Sequence, residues 1–162
     1  MSSFSRRSFL LSAAALAGCG FSPAYGPGGA ATRLQVAVLV DSPDSRPGYL
    51  LTRRFEERLG RPDPARYGLS YSIDIRDSAI AISSANVITR YNKLGTVTYA
   101  LRDLESEKVL ASGKVDSFTS FSASGTTVAT QAADRDAEER LMTILTDKII
   151  TRLTAEADSL PA

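Results

Sequence analysis

"VITRYNKLGTVTYAL", residues 87–101, alternates. Val87, Tyr91, Val97, Tyr99 and Leu101 share one parity, against Ile88, Arg90, Thr96, Thr98 and Arg102. A period of two sends the two sets to opposite faces of a strand, one toward a core and one toward water. The same rhythm runs upstream, where Leu69, Tyr71, Ile73 and Ile75 alternate with Ser70, Ser72, Asp74 and Arg76. There the apolar parity flips to Ile80 and Ile82, which a bulge or bend near residues 77–79 explains. Downstream, "LESEK" (104–108) is a polar turn. Val109, Ala111, Gly113 and Val115 then begin a strand that runs into the hydroxyl-rich "SFTSFSASGTT" (117–127).

Helical periods flank this meander. "RLQVAVLV" (33–40) is a compact β-branched run, expected to be a strand buried on both faces. Residues 41–48 carry turn chemistry, and Pro47 suits the first turn of a helix over "YLLTRRFEERLG" (49–60). Leu51, Phe55 and Leu59 recur at helical spacing, Gly60 and Pro62 supply the stop, and the intervening charges read as a solvated face. A long helix closes the chain. Asp134, Asp136, Glu138 and Glu139 are expected near its start and Lys148 and Arg152 near its end, as the macrodipole prefers. Its apolar stripe is Ala137, Leu141, Leu145, Ile149 and Leu153.

The predicted order is therefore β-α-β-β-β-α, an α+β two-layer sandwich. A right-handed crossover makes the first two strands parallel and the rest form an antiparallel meander, giving a mixed, mostly antiparallel four-stranded sheet. Two amphipathic helices cover one face. Serines, threonines, Asp74, Arg76, Arg90 and Arg102 build the other.

The first residues have a different character. Arg6 and Arg7 precede an apolar segment of nine, "FLLSAAALA" (9–17), too short to span a bilayer and built like a secretory signal peptide. "SRRSFL" (5–10) also resembles a twin-arginine signal, although two arginines and a phenylalanine occur in ordinary n-regions, and the export route stays open. Leu16-Ala17-Gly18-Cys19 resembles the bacterial lipobox, in which the cysteine is acylated and becomes the first mature residue. At about 0.8 kcal/mol per buried methylene, three acyl chains anchor a protein for practical purposes permanently. Gly20, where an aspartate favours inner-membrane retention in many Gram-negative bacteria, points to the outer membrane. The chain thus divides into a signal peptide (1–18), a lipidated Cys19 with a Gly/Pro-rich tether (19–33), one domain (34–157) and a short tail (158–162).

Composition narrows the function. Cys19 is the only cysteine and there is no histidine, so intramolecular disulfides, the usual zinc sets and a Cys–His nucleophile are all excluded. No convergent Ser–Lys pair or carboxylate dyad is readable, so neither an enzyme nor a cofactor is expected. Of the 19 basic and 18 acidic residues, Arg6 and Arg7 leave with the leader, giving a mature net charge near −1. That charge gives no general attraction to nucleic acid. The distinctive feature is hydroxyl content, 20 serines and 13 threonines, nine of them between Ser112 and Thr130.

"GCGFSPAYG" after the lipobox, the element order, "TRYNKLGTVTYALRD" (89–103) and a final helix entered through "AADRDAEERL" together resemble the lipopolysaccharide-assembly lipoprotein family LptE, in its alphaproteobacterial form. The resemblance covers nearly all of the mature chain. It implies a plug inside the lumen of a large outer-membrane β-barrel, LptD, where the pair inserts lipopolysaccharide into the outer leaflet. It further implies contact with lipopolysaccharide phosphates through Arg90, just before the central strand, assisted by Lys93. "TQAA" (130–133) stands where some relatives carry a lysine before the final helix, which puts a two-point clamp in doubt. The alternative is the auxiliary lipoprotein of an ABC-type envelope lipid transporter, which shares a lipobox and a small α/β domain.

Overall fold

The computed structural model describes residue 26 and residues 29–161. The expected signal peptide, Cys19 and most of the tether lie outside the described residues. Four strands and two helices follow the expected order: β1 (Val38–Val40), α1 (Arg46–Leu59), β2 (Tyr67–Ile82), β3 (Ile88–Asp103), β4 (Val109–Ser122) and α2 (Thr127–Glu156). The sheet runs β1-β2-β3-β4, with β1 parallel to β2 and the other pairs antiparallel. This is the mixed α+β sandwich that the strand parity predicts.

Three elements differ from their sequence reading. The first strand is only three residues long, and Val38 is buried while Leu39 is exposed, so it is not covered on both faces. Ala30–Arg33 instead form a single 3-10 turn. A short edge strand beside a crossover needs one apolar residue inward, which Val38 supplies. The flip in β2 is a bulge at Ile80, where the register passes from Ala79↔Tyr91 to Ala81↔Arg90.

The third difference is the largest. Helix α2 begins seven residues before Asp134, capped by Thr126, whose hydroxyl accepts from Ala129 N at 3.2 Å. Its first turn holds no acid, so the macrodipole does not account for Asp134, Asp136, Glu138 and Glu139. A hydroxyl cap satisfies orphan N–H groups without charge, and the acids are free to pair elsewhere.

Inward parity builds the core. Tyr67 and Leu69 of β2, Val97, Tyr99 and Leu101 of β3 and Val115 of β4 meet Leu51, Phe55 and Leu59 of α1. From α2 they meet the expected stripe, Leu141, Leu145, Ile149 and Leu153. Gly95 lets α2 approach β3 closely: a Cβ there would sit 2.9 Å from Leu141 Cδ2 and 3.0 Å from Leu145 Cδ1.

Arg33, near the start of the described domain, meets its C-terminal end. Arg33 donates to the carbonyls of Ala157 (3.2 Å), Asp158 (3.3 Å) and Leu160 (2.9 Å), a cation satisfying the free acceptors at a helix C-terminus. Leu160 is buried and the Tyr67 hydroxyl donates to Pro161 O at 2.9 Å, so residues read as a tail are packed. The thirty residues of α2 span about 45 Å at about 1.5 Å each. They carry the fold from this end to the β2–β3 hairpin.

Candidate functional site

The face of the sheet opposite the helices is polar. Ser70, Ser72, Asp74, Arg76 and Ser78 of β2 share it with Thr96, Thr98 and Arg102 of β3 and with Ser112, Lys114, Asp116, Ser120 and Ser122 of β4. Alternation alone places them there, since their neighbours fill the core. Asp74 and Arg76 pair with each other at 2.9 Å, and Ser120 Oγ donates to Asn92 Oδ1 at 2.6 Å.

Sequence reasoning missed one feature of this face. Leu94 and Phe118 stand directly opposite one another in register and are 45% and 61% exposed. With Asp74, Arg76, Thr96 and Asp116 they line a shallow concavity of about 440 Å³. The signal was present, because Leu94 falls on the same parity as Arg90 and Thr96. Among the polar residues it marks an apolar spot suited to an aliphatic or aromatic group.

Arg90 and Lys93 leave β3 on opposite faces. Arg90 is exposed on the polar back, opposite Ser122, and makes no ion pair among the described residues. The hydroxyls of Ser122 and Ser124, 2.9 Å apart, and the Asn92–Ser120 pair lie at the same end of the sheet. A free guanidinium among hydroxyl donors is chemistry suited to a phosphate.

Lys93 faces the helices and is 4% exposed. Its ammonium donates to Asp77 Oδ1 at 2.7 Å, pairs with Asp134 Oδ1 at 2.8 Å and lies 5.5 Å from the Phe121 ring centre. Burial lowers its pKa, but the Asp134 and Asp77 carboxylates outweigh that and hold it above the ordinary lysine value. Lys93 therefore ties β2, β3 and α2 together. The structure does not bring it to Arg90. Parity separates the two residues, being odd for one and even for the other.

The acids of α2 have partners of the same kind. Arg46 pairs with Glu138, Arg53 with Glu139 at 2.7 Å, and Arg54 with both oxygens of Asp147 at 3.1 and 2.9 Å. The charges of α1 are a zipper between the two helices as well as a wet face. Among the described residues no cluster of three or more His, Cys, Asp or Glu side chains could hold a metal ion. No described helix is long and apolar enough to cross a membrane.

A family profile described as LptE, lipopolysaccharide-assembly, matches residues 32–153. A search of curated protein sequences finds no match. Among solved structures, one from Caulobacter crescentus described as a lipoprotein is 24% identical with a TM-score of 0.68, covering 82% of this chain and 98% of that one. The rare lipoprotein B of Shewanella oneidensis is 10% identical with a TM-score of 0.54, covering 74% and 92%. A minor lipoprotein of Acinetobacter baumannii is 14% identical with a TM-score of 0.52, covering 74% and 89%. At these identities the likeness is one of fold.

Proposed function

Because this chain belongs to the lipopolysaccharide-assembly family LptE, we propose that it is an outer-membrane lipoprotein, acylated at Cys19, that plugs an LptD-type β-barrel and assists insertion of lipopolysaccharide into the outer leaflet. Membership carries the broader role in lipopolysaccharide assembly, and the family is one of non-enzymatic lipoproteins. The plug and its contacts are the proposal.

The observation that carries it is the polar back of the sheet. Large membrane barrels have polar interiors that another domain can fill. On that face eight hydroxyls can hydrogen-bond to such a wall and Asp74 and Arg76 neutralise each other, while Arg90, Arg102, Lys114 and Asp116, with no ion pair among the described residues, would need partners there. Arg90, exposed and unpaired among the described residues, is the residue we assign to a lipopolysaccharide phosphate. Lys93 supports that end of the sheet from behind by holding α2 against it.

Mild-detergent purification of the acylated, tagged protein from native membranes, with partners identified by mass spectrometry, tests the reading. The expected result is a roughly stoichiometric outer-membrane β-barrel. Recovery of an inner-membrane ABC-type complex with no barrel overturns it in favour of a transporter accessory.

A further inference from the structure

The concavity on the polar back is built by strand geometry. Even residues of β4 turn their carbonyls outward to side chains of α2: Ser120 O to Arg140 (3.3 Å), Asp116 O to Lys148 (2.6 Å) and Lys114 O to Arg152 (2.7 Å). Phe118 shares that parity, so it and Leu94 form a non-hydrogen-bonded pair across β3 and β4. Such pairs bring Cα atoms to about 4.5 Å, closer than their hydrogen-bonded neighbours. The two side chains therefore stand together as one exposed apolar ledge.

The charges around this ledge do not balance. Asp74 and Arg76 close its β2 side and pair with each other at 2.9 Å. Asp77 is held by Lys93 at 2.7 Å. Asp116, exposed on the β4 side, makes no ion pair among the described residues. Lys114, its neighbour on the same face, makes no ion pair with it, and Lys148 gives its ammonium to the Asp116 carbonyl instead. The concavity of about 440 Å³ thus joins an open aromatic ring, an aliphatic side chain and one uncompensated carboxylate.

Resting on the plug reading, we propose that this concavity receives a basic side chain of the barrel wall, an arginine by its fit. A guanidinium over the Phe118 ring gains a cation–π contact. It presents two N–H donors to the Asp116 carboxylate, while its methylene stem covers Leu94. A lysine brings a point charge without the planar fork. Other occupants leave a group unmatched. A lipid phosphate meets Asp116 as a like charge. An acyl chain covers Leu94 and Phe118 but takes Asp116 out of water without a partner, which is costly. Arg90 lies six residues of strand from the register position of Asp116, about 20 Å. The two free charges select opposite partners along one face, a phosphate at the hairpin end and a base at its middle.

The test uses the acylated full chain in its own membranes, with p-benzoylphenylalanine in place of Phe118 so that a ring stays there. After irradiation and mass spectrometry, the expected adduct is a segment of the co-purifying barrel with an arginine or lysine beside the linked position. Adding Asp116→Lys should cut the adduct at least about tenfold, because like charges then meet. Asp116→Asn, which keeps the shape, should cut it less. Exchanging the identified basic residue of the barrel for glutamate should restore the adduct in the Asp116→Lys background. Asp116 and Phe118 are both exposed, so the urea midpoint of each variant should match the parent and separate a lost contact from a lost fold. Failure of the native chain to recover any barrel overturns the plug reading and this contact with it. With the barrel recovered, this contact alone is overturned by any of three results: no adduct, an adduct to lipid or to a barrel segment without a basic residue, or a yield unchanged by Asp116→Lys.

Discussion

Arg90 and Lys93 project from opposite faces of one strand, and substituting each reads out a different property. Arg90→Ala removes an exposed side chain with no ion pair among the described residues. It is expected to leave stability within about 0.5 kcal/mol while weakening binding of phosphorylated lipid A, measured by surface plasmon resonance on the acylated protein. Lys93→Met leaves Asp77 and Asp134 facing one another without their shared cation. Removing one partner of a fully buried pair costs about 3–5 kcal/mol; both carboxylates here are partly exposed, so about 1–3 kcal/mol is expected in urea unfolding. Asp103 adds a pH dependence. Its carboxylate accepts from Ser106 N (2.7 Å), Ser106 Oγ (2.9 Å) and Glu105 N (3.1 Å) in the β3–β4 turn. These bonds, those from Ser106 first, hold its pKa below the ordinary value of 3.8. A lowered pKa stabilises above the unfolded value and loses that contribution as pH falls through the folded one. The native chain should therefore be more stable than Asp103→Asn near neutrality. The gap should shrink as the pH drops below 3.8 in paired thermal melts.

The elements show where reading a sequence succeeds. Parity in β2 and β3 is legible because alternate side chains must face opposite layers, and the apolar stripe of α2 is legible for the same kind of reason. The start of α2 was not. Thr126 and Thr127 sit in a run of hydroxyls that continues β4 without a break in composition, and the acids farther on imitate a first turn. What places those acids is the partner helix, since Arg46, Arg53 and Arg54 lie 86–93 positions away in the chain. No local pattern carries that information. Gly95 is intermediate: a glycine inside a strand signals close approach, but that α2 is what approaches needs the fold. Gly95→Ala forces a methyl against Leu141 and Leu145, both fully buried. A loss of about 1–3 kcal/mol is expected from overpacking, seen as a lower urea midpoint with unchanged slope.

At the scale of the molecule, Arg33 and the C-terminal segment meet at one end of the described domain, and the β2–β3 hairpin with Arg90 lies toward the other. Arg33 on the C-terminal carbonyls and Leu160 in the core make that closure structural. Ending the chain at Glu156 removes Ala157, Leu160 and the acceptors of Arg33. It should cost about 3–5 kcal/mol, on the scale of deleting one buried leucine with its neighbouring hydrogen bonds, measured by urea unfolding.

Residue spacing alone lays out the two layers of this protein. Period-two and period-3.6 patterns are local consequences of backbone geometry, and they sorted the apolar residues into one core and the hydroxyls onto one back face. Parity already sends Arg90 to the back and Lys93 to the helix side, but the carboxylates from β2 and α2 that enclose Lys93 are supplied by the fold alone. The fold also decided which edge of the sheet is guarded, because α2 happens to cross β4 and leaves β2 open. The physical reason is range: alternation is fixed between neighbours, whereas ion pairing and edge protection depend on which distant segments the packing of the core brings side by side.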